Sequence, residues 1–489
     1  PYFAWRLLLA DTEHWRGLGQ RACCLHVKFT HQFPVSEITS AEGLHVLIEM
    51  HRKHIVDFAH LNLEQRIGVG ASAAVYRGTL RSKTPVAIKV YTPKEINDDV
   101  VAAFSHEAAL CGALNHPNVV TFHGMCVCPP TICLVSELCR GSVADYLAAR
   151  PLDAEPLQQV AVDVCLLLDA ARAVAYLHSF SPPFIHRDLK PGNLLLDAGN
   201  RVKLTDFGDS RASEDDTRCD ALRKMSVRGT VEYMAPEVIN GKAGLAQYSV
   251  AADIYSLGIT FWDVLHPTAT KYPGAHHHHL RVFERVLDGA RPALRPDLHP
   301  TLARLLGAAW AAAPEARPSA AKVVSMLEAV QDDVLGPLAL DLSKAATYVG
   351  GGKDHFVEGA HLVDCMLDMD WVSDAFEAVR VGAALMDAGF LHHAKHARGF
   401  ENGPSLYSFD EDAIDASVPL VLSSRDTVTV SSSKDTLQPA RCACQQFAQG
   451  LKQTKQVHSS VQSMLTVKDQ PLTLKLLEDD FIATSDSGA

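Results

Sequence analysis

A chain of 489 residues has room for roughly two to four domains, and 47% apolar with 21% charged residues is an ordinary globular composition. The net charge of −12 argues against a general nucleic-acid binder, which is usually basic. No run of about 18 uncharged apolar residues occurs; Val160–Leu177 comes nearest, and Asp163, Asp169 and Arg172 interrupt it.

In chain order, residues 1–54 have mixed polarity, with Tyr2, Phe3, Trp5 and Trp15, and stay unassigned. The first residue is Pro1 rather than Met, so the expectation is a remnant of an upstream region. From Leu61 the texture turns β-rich. The stretch "IGVGASAAVY" (Ile67–Tyr76) approaches G-x-G-x-x-G-x-V through Gly68, Gly70 and Val75, but Ala73 stands at the third glycine. That signal alone is weak, because an ordinary turn reads the same way. "VAIKVY" (Val86–Tyr91) and "TICLVSEL" (Thr131–Leu138) have strand composition. Between them Val100–Leu114 reads as a helix, with Phe104, Ala108, Cys111 and Leu114 at helical spacing. Leu157–His178 reads as a long buried helix, and Ser319 as the start of another. His276–His279, after Pro273 and Gly274, reads as a surface loop rather than a metal site.

A second unit runs from about Ser343 to Asp410, with a helix ending at Gly389. From Glu411 onward Ser, Thr, Asp and Gln dominate, and the tail is expected to be mostly disordered. The 12 cysteines form no zinc-type framework; the Cys126/Cys128 and Cys442/Cys444 pairs read as packed thiols of a reducing compartment.

Phosphoryl transfer needs a held nucleotide, metal ions to neutralise charge and a base near the acceptor hydroxyl. The chain supplies such parts in order. Gly68 and Gly70 permit close backbone approach to phosphates. Lys89 is a strand cation, and Glu107, on the helix that follows, is placed to pair with it. In "HRDLKPGNLLL", Asp188 is a candidate proton acceptor, Lys190 a phosphoryl stabiliser and Asn193 a metal ligand. "DFG" adds the carboxylate of Asp206 as a second ligand, and "APE" (Ala235–Glu237) closes the segment.

This ordered set resembles a eukaryotic protein kinase domain from about Leu61 to Gln331. The resemblance implies ATP and Mg2+ as cofactors and protein substrates with Ser/Thr hydroxyls. It implies an adenine pocket lined by Val75, Ala87 and Leu195, with backbone pairing at Glu137 and Cys139 behind the small gatekeeper Ser136. Lys190 and Thr230 are similar to the serine/threonine type, and the local style resembles the tyrosine-kinase-like group. Asp253 is expected to brace the catalytic-loop backbone, and Arg317 to pair with Glu237. Arg187, beside Asp188, implies a phosphate-ordered activation segment, with Ser226, Ser213 and Thr217 as candidates in that order, among Arg218, Arg223, Lys224 and Arg228. The competing reading, a pseudokinase scaffold or nucleotide-binding adaptor, is disfavoured by the intact Lys89, Asp188 and Asp206.

The second unit resembles a DEP domain. Phe356, Gly359, Leu362, Val363 and Asp364 match its first helix, Ala378, Val379, Gly382, Leu385 and Gly389 the next, and Tyr407 and Phe409 its closing strand. Cys365 departs from that pattern. The resemblance implies membrane or receptor-tail contact, although "HHAKHAR" (His392–Arg398) offers only Lys395 and Arg398 as full charges. The expected fold class is α+β: a bilobal kinase fold plus a small, mainly helical DEP-like domain. The expected division is an N-terminal segment 1–54, kinase 55–331, linker 332–342, DEP-like unit 343–410 and tail 411–489, in a cytoplasmic protein that the DEP-like unit could bring to a membrane, without nucleic-acid partners.

Overall fold

A computed structural model describes residues 48, 51–69, 73–91, 98–128, 131–150, 156–212, 225–226, 229–241, 245–246, 248–275, 278–349 and 355–417. Gly70, Ser72, Ser213, Thr217, Arg218, Arg223, Lys224, Arg228, His276, His277, Cys442, Cys444 and the tail beyond Ser417 lie outside the described residues, as does the side chain of Ser226.

The small lobe is a five-stranded antiparallel sheet ordered β1-β2-β3-β5-β4. Its strands are β1 (Leu61–Val69), β2 (Ala73–Leu80), β3 (Thr84–Tyr91), β4 (Phe122–Cys128) and β5 (Thr131–Glu137). The strand period of two sorts β3 cleanly. Val86, Ile88 and Val90 enter one apolar cluster with Val135 and Cys133. Tyr91 goes to the other face, where Phe104 and Ala108 of α1 (Asp98–Ala113) pack. Lys89 shares the face of Tyr91 and therefore looks toward that helix.

Residues 51–54, left unassigned from sequence, dock on this lobe. The His51 Nε2 and Ser105 Oγ are 2.9 Å apart, and the His54 ring lies 5.7 Å from the Phe122 ring of β4.

Two short elements, β6 (Gly141–Ser142) and α2 (Val143–Ala149), lead into the large lobe. Ser142 caps α2 in a reciprocal box with Asp145. The buried helices α3 (Pro156–His178) and α5 (Val250–Leu265) form the lobe's centre. Between them come β7 (Phe184–Ile185), β8 (Leu194–Leu196), β9 (Val202–Leu204), β10 (Arg211–Ala212), β11 (Met225–Ser226), α4 (Pro236–Ile239) and β12 (Leu245–Ala246). The lobe continues with α6 (His279–Leu287) and α7 (Pro300–Ala309). His279, expected in a loop, opens α6; the run of Leu280 to Leu287 behind it carries buried Val282 and Val286 inward.

Residues 332–342 are no linker. They lie within α8 (Ala320–Ala345), one helix of 26 residues capped by Ser319. Leu335, Leu338, Ala339 and Leu342 recur at helical spacing and are all buried, which is why the chain does not break there. Gly336 belongs to this face because Ser417 crosses it closely; a Cβ would stand 2.3 Å from the Ser417 Oγ.

The C-terminal module follows as β13 (Val357–Glu358), α9 (Gly359–Asp368), α10 (Ala375–Ala388), β14 (Leu391–His393) and β15 (Leu406–Phe409). Asp374 caps α10, and Gly389 ends it at φ 89°, a conformation that suits a residue without Cβ. The three strands pair in the order β13-β15-β14. Glu411–Ser417, expected as the start of a disordered tail, forms α11, whose buried Ile414 enters the module's core. That core also takes in Ala161, Val162 and Cys165 of α3, so it is shared with the large lobe.

Candidate active site

The cleft between the lobes gathers the predicted charges. From β3, the Lys89 Nζ lies 3.2 Å from the Glu107 Oε1 on α1 and 2.9 Å from the Asp206 Oδ1. Burial alone would lower the lysine's proton affinity, but Glu107, Tyr91 and Asp206 outweigh it and raise its pKa. Burial pushes the Asp206 carboxyl up, yet Lys89 more than offsets this and holds it below the usual carboxylate range. Both groups are thus charged at neutral pH. Asp206 sits at φ 67°, and the backbone turns there so that Phe207 is buried against the His186 ring.

Beneath this pair, a second cluster centres on Asp188. Its Oδ2 accepts from the Lys190 Nζ at 2.6 Å and from the Asn193 Nδ2 at 2.9 Å, and its Oδ1 from the Thr230 hydroxyl at 2.9 Å. Lys190 also reaches the Thr230 Oγ1 at 2.7 Å, and Asn193 donates to the Asp188 carbonyl. The sequence runs through a tight turn here, and the loop is held from below. The buried Asp253 of α5 accepts the N–H groups of His186 and Arg187 at 2.8 and 2.9 Å. Burial drives the Asp253 carboxyl up, but its bond to His178 leads the interactions that hold it below its ordinary value. Arg317 grips Glu237 through two parallel bonds of 2.7 and 2.9 Å.

The nucleotide side is placed as follows. Gly68 faces Val75 across the β1–β2 pair, Val75 faces Lys89, and Ala87 faces Ser136. Glu137 ends β5, and Cys139 follows it; Leu195 lies on β8 opposite Ser142. The N–H of Glu137 donates to the Thr121 carbonyl, and its carboxylate binds Lys203 at 2.9 Å. Gly70 lies outside the described residues.

Among the described residues, two side chains, Asn193 and Asp206, offer oxygens to a divalent cation. Asn193 spends its amide hydrogens on Asp188, which leaves its carbonyl oxygen; Asp206 uses one oxygen on Lys89 and is nearly half exposed. Such a sparse, all-oxygen set fits Mg2+, which keeps several waters and takes phosphate oxygens as its other ligands.

Three supporting residues escaped the sequence reading. The Tyr91 hydroxyl lies 3.2 Å from both Glu107 oxygens, and Lys89 sits over its ring. Its position two residues after Lys89, on the same strand face, was the available signal. Lys203 neutralises Glu137, and the His106 ring bonds the Ser210 carbonyl.

These features define a protein kinase domain, and comparison agrees. Residues 61–327 match the family described as protein tyrosine and serine/threonine kinase, and the chain belongs to it. Its kinase domain is similar to proteins named as serine/threonine kinases. It is 38% identical over 222 residues to mouse mitogen-activated protein kinase kinase kinase 10, covering 43% of this chain and 22% of that one. It is 34% identical over 301 residues to the Arabidopsis thaliana serine/threonine-protein kinase STY46, covering 61% of this chain and 48% of the relative. It is also 34% identical over 229 residues to the Dictyostelium discoideum dual specificity protein kinase shkC, covering 46% and 42%. The chain therefore spans less than half the length of each of these relatives.

Proposed function

We propose that the chain transfers the terminal phosphoryl group of ATP to serine or threonine hydroxyls of protein substrates in intracellular signalling, within the tyrosine-kinase-like group. The observation that carries this reading is the Asp188–Lys190–Thr230–Asn193 cluster beside the Lys89–Glu107–Asp206 triad. A chain that kept only the scaffold would have no reason to keep both.

In this reading Asp188 orients the substrate hydroxyl and accepts its proton. Lys190, tethered to both Asp188 and Thr230, faces the transferring group with its positive charge. Lys89, fixed by Glu107, holds the nucleotide's phosphates. Asp206 and Asn193 would hold Mg2+, which when bound neutralises charge on the phosphate oxygens. Gly68, Gly70, Val75, Ala87 and Leu195 would enclose the nucleotide, and Glu137 and Cys139 would pair with adenine through their backbone.

For the C-terminal module the reading is a DEP-like targeting unit. Its support is the matched sequence pattern and the order of two helices followed by a hairpin. Contact with an anionic membrane or a receptor tail would then fall on His392–Arg398. No described helix is long and apolar enough to cross a membrane.

The test is phosphoryl transfer from labelled ATP to generic protein substrates, with phosphoamino-acid analysis. Phosphoserine and phosphothreonine are expected. Nucleotide binding without transfer would establish the scaffold instead, and phosphotyrosine alongside them would make the enzyme dual-specific.

A further inference from the structure

The C-terminal module meets the large lobe through buried charge. The Arg380 Nε and Nη2 of α10 donate to the two oxygens of Asp169 on α3, at 3.0 and 2.8 Å, and both side chains are buried. The same Asp169 Oδ2 accepts the backbone N–H of Val202 at 3.1 Å. Val202 opens β9, which pairs with β8, so Asp169 closes the outer edge of the β8–β9 hairpin. Asn193 immediately precedes that hairpin and Asp206 shortly follows it.

A second contact reaches the hairpin's turn. The Phe376 ring of α10 lies 3.6 Å from the Arg140 guanidinium. Arg140 in turn donates to the Asn200 side chain and, through its N–H, to the Leu196 carbonyl. Around these sit further bridges: Arg172 to Asp387 and Glu328, and the Tyr146 hydroxyl to Glu377 at 2.5 Å.

The arrangement is interdependent. Without Arg380, the Asp169 carboxylate would be a buried charge stripped of its strongest partner, and such groups take up a proton or move toward water. Either response weakens the acceptor that the Val202 N–H needs. A shift in β9 is passed along a short stretch of chain to Asp206.

We propose that Arg380 is a positioning residue for phosphoryl transfer: through Asp169 it fixes the β8–β9 hairpin, whose open end carries Asn193 just before β8 and Asp206 just after β9. The C-terminal module is by this route a brace for the metal-holding residues. The proposal rests on the kinase reading above.

The test uses the full chain with two variants. Arg380→Lys keeps the charge but loses the fork that reaches both carboxylate oxygens. The paired Asp169→Asn/Arg380→Gln is neutral yet retains hydrogen bonding. Arg380→Lys is expected to lower kcat about tenfold, since sub-ångström to 1 Å misplacement costs rate steeply. It should raise the Mg2+ concentration for half-maximal rate, speed amide exchange at Val202–Leu204, and leave the KM for protein substrate unchanged. The paired variant should recover most of the rate. Wild-type kcat and Mg2+ dependence in Arg380→Lys, with faster exchange confined to α10, would overturn the proposal. So would a rate loss that only tracks the unfolded fraction. A wild-type chain that binds MgATP but transfers nothing would defeat the kinase reading instead, and β9 exchange with MgATP affinity would still decide whether the brace exists.

Discussion

Asp188→Asn separates chemistry from architecture. The carboxylate receives three donors: Lys190 at 2.6 Å, Asn193 at 2.9 Å and Thr230 at 2.9 Å. Asparagine has the same shape and keeps one acceptor oxygen. That oxygen can stay where Lys190 and Asn193 converge, and the new amide nitrogen then faces Thr230, whose hydroxyl rotates to accept. The hydrogen-bond frame survives in large part; the negative charge and the proton acceptor do not. Loss of a general base costs about 10²- to 10⁴-fold in rate, which is about 3–5 kcal/mol of barrier. Weakening the charge-assisted bonds costs the fold no more than about 1.5–3 kcal/mol. The Lys89–Asp206 pair, proposed to hold the nucleotide and its metal, is untouched, so the KM for ATP should hold within about threefold while kcat falls. Steady-state transfer with ATP and protein substrate varied separately, alongside a thermal melt, measures all three. A variant with near wild-type kcat, or one whose loss lies mainly in ATP affinity, refutes the role assigned to Asp188.

Asp206→Asn should abolish measurable transfer in a folded domain, because it removes the only carboxylate of the candidate metal pair and one of the two carboxylate partners of Lys89; retained activity at ordinary Mg2+ would remove that assignment. Ala73→Gly should be mild. Ala73 pairs with Tyr91 inside the sheet, so glycine costs about 0.5–1 kcal/mol locally and should shift the KM for ATP by only a few-fold; a large gain in rate would mean that the native loop is impaired. Asp253 titrates below its ordinary range when folded. Its contribution to stability is therefore complete above its unfolded value near pH 4 and lost as pH falls through the lower folded value. Asp253→Asn should lower stability at neutral pH and flatten the acid limb of the stability–pH curve, and an unchanged acid limb would contradict the assignment.

The residues that gather in the cleft were legible because most of them lie in short runs. His186 to Asn193 fit in one turn of chain, and Asp206 follows after a single hairpin. Lys89 and Glu107 were readable as types, since a strand lysine and a helix glutamate in order suggest a pair. What the sequence hid was long-range. Nothing local ties Arg380 to Asp169 across 211 positions, and Asp169 read only as an interruption in an apolar helix. Lys203 was equally silent, because a lysine on a short strand is usually solvated. The supposed linker failed for a different reason. Its apolar residues do follow helical spacing, but they face two cores at once, and a boundary placed by family resemblance cut through the helix between them. Helix ends with chemical caps fared better: Ser319 and Gly389 stand where the sequence put them.

The unbroken α8 has a consequence for how the chain melts. At about 1.5 Å per residue it runs about 40 Å, with Val323 and Leu327 in the large-lobe core and Leu338 and Leu342 in the core shared with the module. Two domains joined by slack chain unfold as separate events. Here one helix lends residues to both cores and the module's core includes α3 of the large lobe, so loss of the module strips apolar cover from that lobe, and the two are expected to melt in one transition. A destabilising change at the module's far hairpin is then felt as a lower population of competent kinase, with no moving part in between.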